Sequence, residues 1–409
     1  MIRLRLPPHS PLSAMIVVVG ISALALGCTT RSESFTGSVP PGLGITCSTT
    51  RTAGDTDAAR AALAGAPSGT CVVLTGAAYA GPLALPPGVA LVAQNGSRAR
   101  ITGGTAQDAA ISLAEGSQLA AVDVMDSVGV GIAIRAGTAL VNSVTVTGSK
   151  SAALAVLCKT PAACAAGSIT LTNVVLEKSS LGLWVSGAHV VMKGGSSDNH
   201  AGTSLSSAAG VIAQDGAQLD FDGVLVEKNQ GVGILIDGAQ TKASLKNAIV
   251  NENGERGVWA QRVSGTLDAP ALRLDGCQVT KNKVVGVGAV ESHGIIIVGG
   301  RIADTVASPL VTNLESTEQI GDGVGLFASG ELKLEGTVVE SNARTAGIID
   351  GSDRGIIIVG GKVGAGPLGL KFVVQNTKGA DVQVPDADRS APAKPLGVSA
   401  PKLGLPPVL

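Results

Sequence analysis

Aromatic side chains are almost missing from this chain: two Trp, one Tyr and four Phe in 409 residues. A core must then be closed by small aliphatic groups in close, repeated contact rather than by large rings. Net charge is also missing, at −1 for the whole chain. Without a basic patch interleaved with stacking aromatics, nucleic acid is excluded as a partner. No apolar run reaches the ~20 residues that a membrane-spanning helix needs. After residue 65 no long stretch with a 3.6-residue apolar period recurs, which argues against a helical or leucine-rich solenoid. What the chain does have is glycine, 56 of them, among Val, Ala, Leu and Ile.

Those residues are arranged in copies. Leu219-Asp220-Phe221-Asp222-Gly223-Val224-Leu225-Val226-Glu227-Lys228-Asn229 aligns without gaps to Leu272 through Asn282 and to Leu332 through Asn342. Weaker copies begin at Ala139, Ile169, Val190, Ala243, Ile295 and Ile356. The mean step is about 27 residues, a period that signifies a solenoid. A second element follows each copy, as in Gly233-Ile234-Leu235-Ile236 and Gly257-Val258-Trp259-Ala260, so each turn carries at least two short strands. Alternation within a copy sends Leu219 and Phe221 inward and leaves the charges between them in water. Asn and Gly fall at the corners, where left-handed backbone is needed. Ten to twelve turns about 4.8 Å apart would make a rod on the order of 50–60 Å long.

The start of the array is distinctive. Thr56 to Gly65 reads as a short helix, followed by Cys71-Val72-Val73-Leu74, by the turn around Tyr79-Ala80-Gly81, and by Pro87-Gly88-Val89-Ala90-Leu91-Val92-Ala93. This succession resembles the opening of right-handed parallel β-helix proteins of the pectate-lyase-like class. The resemblance implies an all-β solenoid with an N-terminal capping helix. It does not choose among the lyases, hydrolases, esterases, spikes, adhesins and inert surface proteins that share the scaffold.

The first residues are addressed elsewhere. Arg3 and Arg5 precede an apolar stretch, Met15 to Leu26, too short to span a bilayer, which reads as a signal peptide. It ends in Leu24-Ala25-Leu26-Gly27-Cys28, which resembles a bacterial lipobox, with Ala25 where Leu is commoner. The resemblance implies a diacylated Cys28, and two or more acyl chains hold a protein on a membrane where one does so only marginally. Thr29 in place of Asp favours the outer membrane. The expected organisation is a signal peptide over 1–27, a polar tether over 28–44, the β-helix over 45–384 and a Pro-rich, loosely packed tail over 385–409. With residues 1–27 removed, 28 basic residues face 31 acidic ones, which identifies no strongly charged partner.

Five cysteines remain outside the cytoplasm. Cys47 and Cys71 flank the capping helix, and Cys158 and Cys164 bracket a short loop, so two local disulfides are expected. Cys277 replaces an aliphatic repeat residue and is read as a buried free thiol.

Chemical motifs are weak. Asp220 and Asp222 could share a face, but the next copies place Arg273, Asp275 and Lys333 in those columns, so the charges alternate in sign as on a solvated strand. His293 faintly resembles the Gly-His-Gly segment of polygalacturonase-type hydrolases. However, His293-Gly294-Ile295 recurs as Arg354-Gly355-Ile356, so it marks a repeat corner. Gly364-Ala365-Gly366-Pro367-Leu368-Gly369 fits a dinucleotide-binding pattern in letters only, since Pro367 and a following strand contradict the helix it needs. His189 and His200 have no Cys or acid at metal-ligand spacing. No catalytic, cofactor or metal residue is assigned. Trp184 and Trp259 occupy the middle of corresponding strands between apolar neighbours, so both indoles are expected to point outward and to offer a ligand contact.

The expectation is therefore a cell-envelope, lipid-anchored, non-catalytic β-helix with a structural, adhesive or glycan-contacting role. The alternatives are a polysaccharide lyase or glycoside hydrolase of the same superfamily, and a protein-binding surface module.

Overall fold

The structure is a computed structural model that describes residues 39–158, 164, 167–202, 208–309, 319–367, 369–377 and 387–388. The chain divides into two compact units, 1–36 and 37–409, and all described residues belong to the second. The leader, Cys28 and most of the tail lie outside the described residues.

Almost every described element is a short strand in one of three parallel sheets of 13, 14 and 12 strands. Sheet A contains Thr49–Ala53, sheet B contains Ala78–Gly81 and sheet C contains Leu83–Leu85, and the chain visits A, B and C in turn. Neighbours within a sheet are one full turn apart in sequence, so each strand's backbone groups are satisfied by the turns before and after it. This is a right-handed parallel β-helix.

The sequence copies set the register. Their starting residues, Ala139, Ile169, Val190, Leu219, Ala243, Leu272, Ile295, Leu332 and Ile356, form one unbroken column of paired residues in sheet A. Two residues on, Val141, Leu171, Met192, Phe221, Leu245 and Leu274 stack in the same way and are buried. Each such side chain contributes about 1.5–3 kcal/mol relative to exposure. Where the sequence reading found at least two strands per turn there are three, because the copy beginning at Leu219 is itself bent. Gln218–Asp222 lies in sheet A and Leu225–Glu227 in sheet B, with Gly223 at φ +66° between them.

That bend is uniform. From Ala139–Asn142 onward the A-to-B connection is two residues long, and the first of the two has positive φ whether it is Ser143, Asn173, Asn247 or a glycine. Where the second is not glycine it is buried, and Cys277 occupies this place, as do Val144, Val174 and Val224. Its thiol lies 3.2 Å from the Leu245 carbonyl oxygen, and burial pushes its pKa up.

The B-to-C corner holds a polar ladder inside the body. Asn229, Asn253 and Asn282 are buried, and each passes a side-chain amide hydrogen bond to the next, at 2.9 and 2.8 Å. His200 continues the ladder one turn earlier. Its Nδ1 accepts from the Ser179 N–H at 3.2 Å, which leaves the ring proton on Nε2, 3.1 Å from Ser197 Oγ. Burial holds its pKa down, from 6.5 to about 4. A depressed histidine pKa means the unfolded chain binds the proton first. Stability is therefore complete above pH ~6.5 and is lost as pH falls toward 4, by on the order of 3 kcal/mol. Thermal melts from pH 7 to 4 should show this loss in the native protein and a smaller one in His200→Asn; identical profiles would refute the assignment.

The N-terminal end is closed by the helix Thr56–Leu63, whose first turn is capped by Asp55 accepting from the Ala58 N–H at 2.8 Å. Ala59 and Leu63 form its buried face. Cys47 is bonded to Cys71 and Cys158 to Cys164, with Cα separations of 5.5 and 6.2 Å, and Cys277 is free.

Two boundaries differ from the sequence reading. Ala387–Asp388, within the stretch assigned to the tail, adds a rung to sheet C. At the other end, Val39 and Leu43, within the stretch read as a polar tether, are held to the body together with Ile45. They pack against Val73, Val92 and Ala120 on the outer face of sheet A, where Asn142 donates to the Leu43 carbonyl at 3.1 Å. A stripe of apolar side chains facing outward on the first turns needed a cover, and this segment is it.

Candidate functional site on the outer face of sheet C

The three sheets do not present equal surfaces. On sheets A and B the outward residues are half-exposed, as in Lys242–Lys246 or Val338–Glu340, whereas on sheet C nearly all are buried, as in Val258–Gln261 and Val284–Val290. Length variation follows the same division. The long connections, residues 158–168, 199–210, 262–271 and 304–318, all begin or end at sheet C, and the A–B corner carries none of them. Insertions gathered along one face are the usual mark of a solenoid's binding side.

The centre of this face is a column running Ala133, Ala155, Trp184, Ile212, Leu235, Trp259, Gly288, Gly325 and Ile348. Both indoles leave the inner core, since Leu183, Val185, Val258 and Ala260 belong to it and the tryptophans to a separate outer cluster. They are nonetheless not available to solvent: Trp184 is 3% exposed and Trp259 0%. The expectation of open ligand contacts is corrected on that point. Alternation along the strand fixed the direction of each ring, but it carries no information about what lies over the sheet.

Around Trp259 the cover can be named. Its ring lies over Gly288 in the next turn, where a Cβ would sit 2.3 Å from the indole. Phe327 in turn leans over Gly325, where a Cβ would be 2.7 Å from its ring, and the two ring centroids are 5.8 Å apart. The Arg256 guanidinium carbon stands 4.2 Å from the Trp259 centroid, and Arg256 pairs with Glu255 at 3.1 Å. Burial pushes the Glu255 carboxyl up, opposed by Arg256, and pushes the Arg256 guanidinium down, opposed by Glu255. Trp184 Nε1, Trp259 Nε1 and Arg256 Nε are buried without a hydrogen-bond partner.

Several other acids on or beside this face are held. Asp237 takes Arg262 on both oxygens, at 2.6 and 2.7 Å. Asp322, fully buried, takes Arg344 at 2.5 and 3.1 Å and the Thr345 N–H and hydroxyl at 3.2 and 2.7 Å. Asp215 accepts from Ser186 and Gln214, both at 2.7 Å, and Asp350 accepts from Asn376 at 2.7 Å. The sequence signal for this region was the alternating glycine of Gly286-Val287-Gly288 and Gly323-Val324-Gly325, and the paired arginines gave none.

The remaining sequence candidates do not gather here. Asp220 lies on sheet A, 2.6 Å from His189 Nε2, and Asp222 accepts from Asn247 at 3.2 Å. His293 is an exposed corner residue, and Gly364 to Gly369 connects strands of sheets B and C. On sheet B, Glu177, Asp198 and Glu227 occupy adjacent rungs, but Thr147, Ser196 and Lys228 bind their oxygens. Among the described residues no group of His, Cys, Asp and Glu could hold a metal ion.

Residues 109–303 match the family described as right handed beta helix region. Similar solved structures include the A-module of a mannuronan C-5 epimerase from Azotobacter vinelandii, 13% identical, covering 83% of this chain and 96% of that one with a TM-score of 0.46. A polygalacturonase from Erwinia carotovora is 13% identical over 87% and 99% of the two chains, with a TM-score of 0.41. A pectate lyase is 12% identical over 88% and 83%, with a TM-score of 0.35. No curated protein matches the chain.

Proposed function

We propose that this right-handed β-helix is the body of a lipid-anchored envelope protein and serves as a non-catalytic scaffold, contacting a polysaccharide or protein partner through the corners that border sheet C. The observation that carries this reading is the pairing of the acids seated in that face, Asp237 and Asp322 above all. A glycosidase needs two carboxyl groups free to act on one bond, about 5–10 Å apart. Asp237 and Asp322 are each locked to an arginine by two hydrogen bonds or more.

A second reading, a polysaccharide lyase or glycoside hydrolase, is favoured by one site. Glu255 and Arg256 are buried together with pKa values displaced toward neutrality, a pattern that active sites share with structural ion pairs. Incubation with neutral and uronic acid polysaccharides separates the two, with new carbon–carbon double bonds and new reducing ends as readouts. No cleavage is expected; cleavage that Glu255→Gln abolishes would establish the enzyme.

The anchor is tested apart from the body. Cys28→Ala should abolish acyl labelling and move the protein from membranes to the soluble fraction. Equal membrane retention by the variant would sink the anchor.

A further inference from the structure

The chain does not join the solenoid at its tip. Cys47 is bonded to Cys71 in the second strand of sheet A, and four residues upstream the Leu43 carbonyl is already bonded to Asn142, three rungs further along. Four extended residues span about 13–14 Å, which matches three rungs at about 4.8 Å, so the segment runs along the solenoid axis across the strands. Its apolar residues hold it to the flank of sheet A and not to the capping helix.

The surface beside it is unusual. Outward positions of sheet A next to the strap are Gln118, Leu140, Thr170 and Val191 in one column and Thr172 beyond Asn142 in the other. The first charge met is basic, Lys193, and the acids Asp220 and Asp222 come one rung later. Over the rungs beside the strap an uncharged surface meets anionic headgroups without repulsion, and Lys193 attracts them before the acids are reached.

Resting on the lipid-anchor reading above, we propose that the outer flank of sheet A is the face the body turns toward the bilayer, so that the solenoid is held side-on by its first turns rather than standing on its capping helix. From Cys28 to Val39 is eleven residues, a contour length of at most about 36–40 Å.

The test uses the acylated, mature chain in phosphatidylethanolamine–phosphatidylglycerol vesicles that carry a headgroup quencher. A fluorophore is placed in turn at Thr170→Cys on sheet A, Lys178→Cys at the exposed B–C corner of the same turn, Asp57→Cys on the capping helix and Glu335→Cys near the last turns. Quenching at Thr170 is expected to exceed that at Lys178 at least twofold and to be no weaker than at Asp57. A ranking along the axis, with Asp57 quenched most, Thr170 and Lys178 alike and Glu335 least, would overturn the side-on placement while leaving the anchor standing. A chain without acyl groups at Cys28 would overturn both.

Discussion

Trp259→Ala is expected to lower the free energy of unfolding by about 3–5 kcal/mol, the range for truncating a fully buried large aromatic residue. The indole has no exposed surface and lies between Gly288 below, Phe327 beside it and Arg256 above. Its loss empties a niche that glycine cannot fill and uncovers a guanidinium whose desolvated contact with the ring contributes about 2 kcal/mol of its own. Trp259→Phe should cost less, because a ring of similar outline still closes the niche. Chemical denaturation followed by circular dichroism measures both. A change below about 1 kcal/mol for the alanine variant would mean that the indole is not a packing element.

Asp322→Ala should be comparably damaging, at about 3–5 kcal/mol, for an electrostatic reason. The carboxylate is fully buried, and four donors converge on it: two from Arg344 and two from Thr345. Removing it takes two hydrogen bonds and an opposite charge from the Arg344 guanidinium, whose side chain is 13% exposed, and the acceptor from the Thr345 N–H. The double variant Asp322→Leu with Arg344→Leu should recover much of the loss, since an apolar pair carries no uncompensated charge. A single variant within 1 kcal/mol of the native protein, or a double variant worse than the single, would contradict this account. Both outcomes can be read in one series of denaturation curves.

Sequence reading reached the scaffold because the solenoid is periodic. Equivalent residues in successive turns must stack, so aligning Leu219, Leu272 and Leu332 was already a statement about one column, and the sheet A register places all three in it, with Ala243 and Ile295 between them. The weaker copies fell into the same column for the same reason. The corner at Gly223 was missed because it takes only two residues and interrupts neither the apolar pattern nor the copy. The site was harder to read. Trp184 and Trp259 were found by their rarity and their direction by alternation. Their burial depends on the outer face of a sheet whose long connections obey no period. The arginine partners of Asp237 and Asp322 lie on neighbouring turns, 25 and 22 residues away, at offsets that vary with each connection and so leave no motif. Packing of Val39, Leu43 and Ile45 onto sheet A was equally hidden, because a short run with two prolines and two glycines reads locally as linker.

The Cys47–Cys71 bond has a mechanical consequence. A pull on the chain upstream of residue 47 first loads the strap along the solenoid axis, in shear against Val73, Val92 and Ala120. Once that contact slides, the force reaches Cys47 and passes through sulfur into the second strand of sheet A. The edge strand Thr49–Ala53 and the helix Thr56–Leu63 lie inside the loop that the bond closes, so they carry no tension. An edge strand is the easiest part of a sheet to peel. Here the covalent path bypasses it and delivers the load to a strand paired on both sides, between Thr49–Ala53 and Ala90–Ala93.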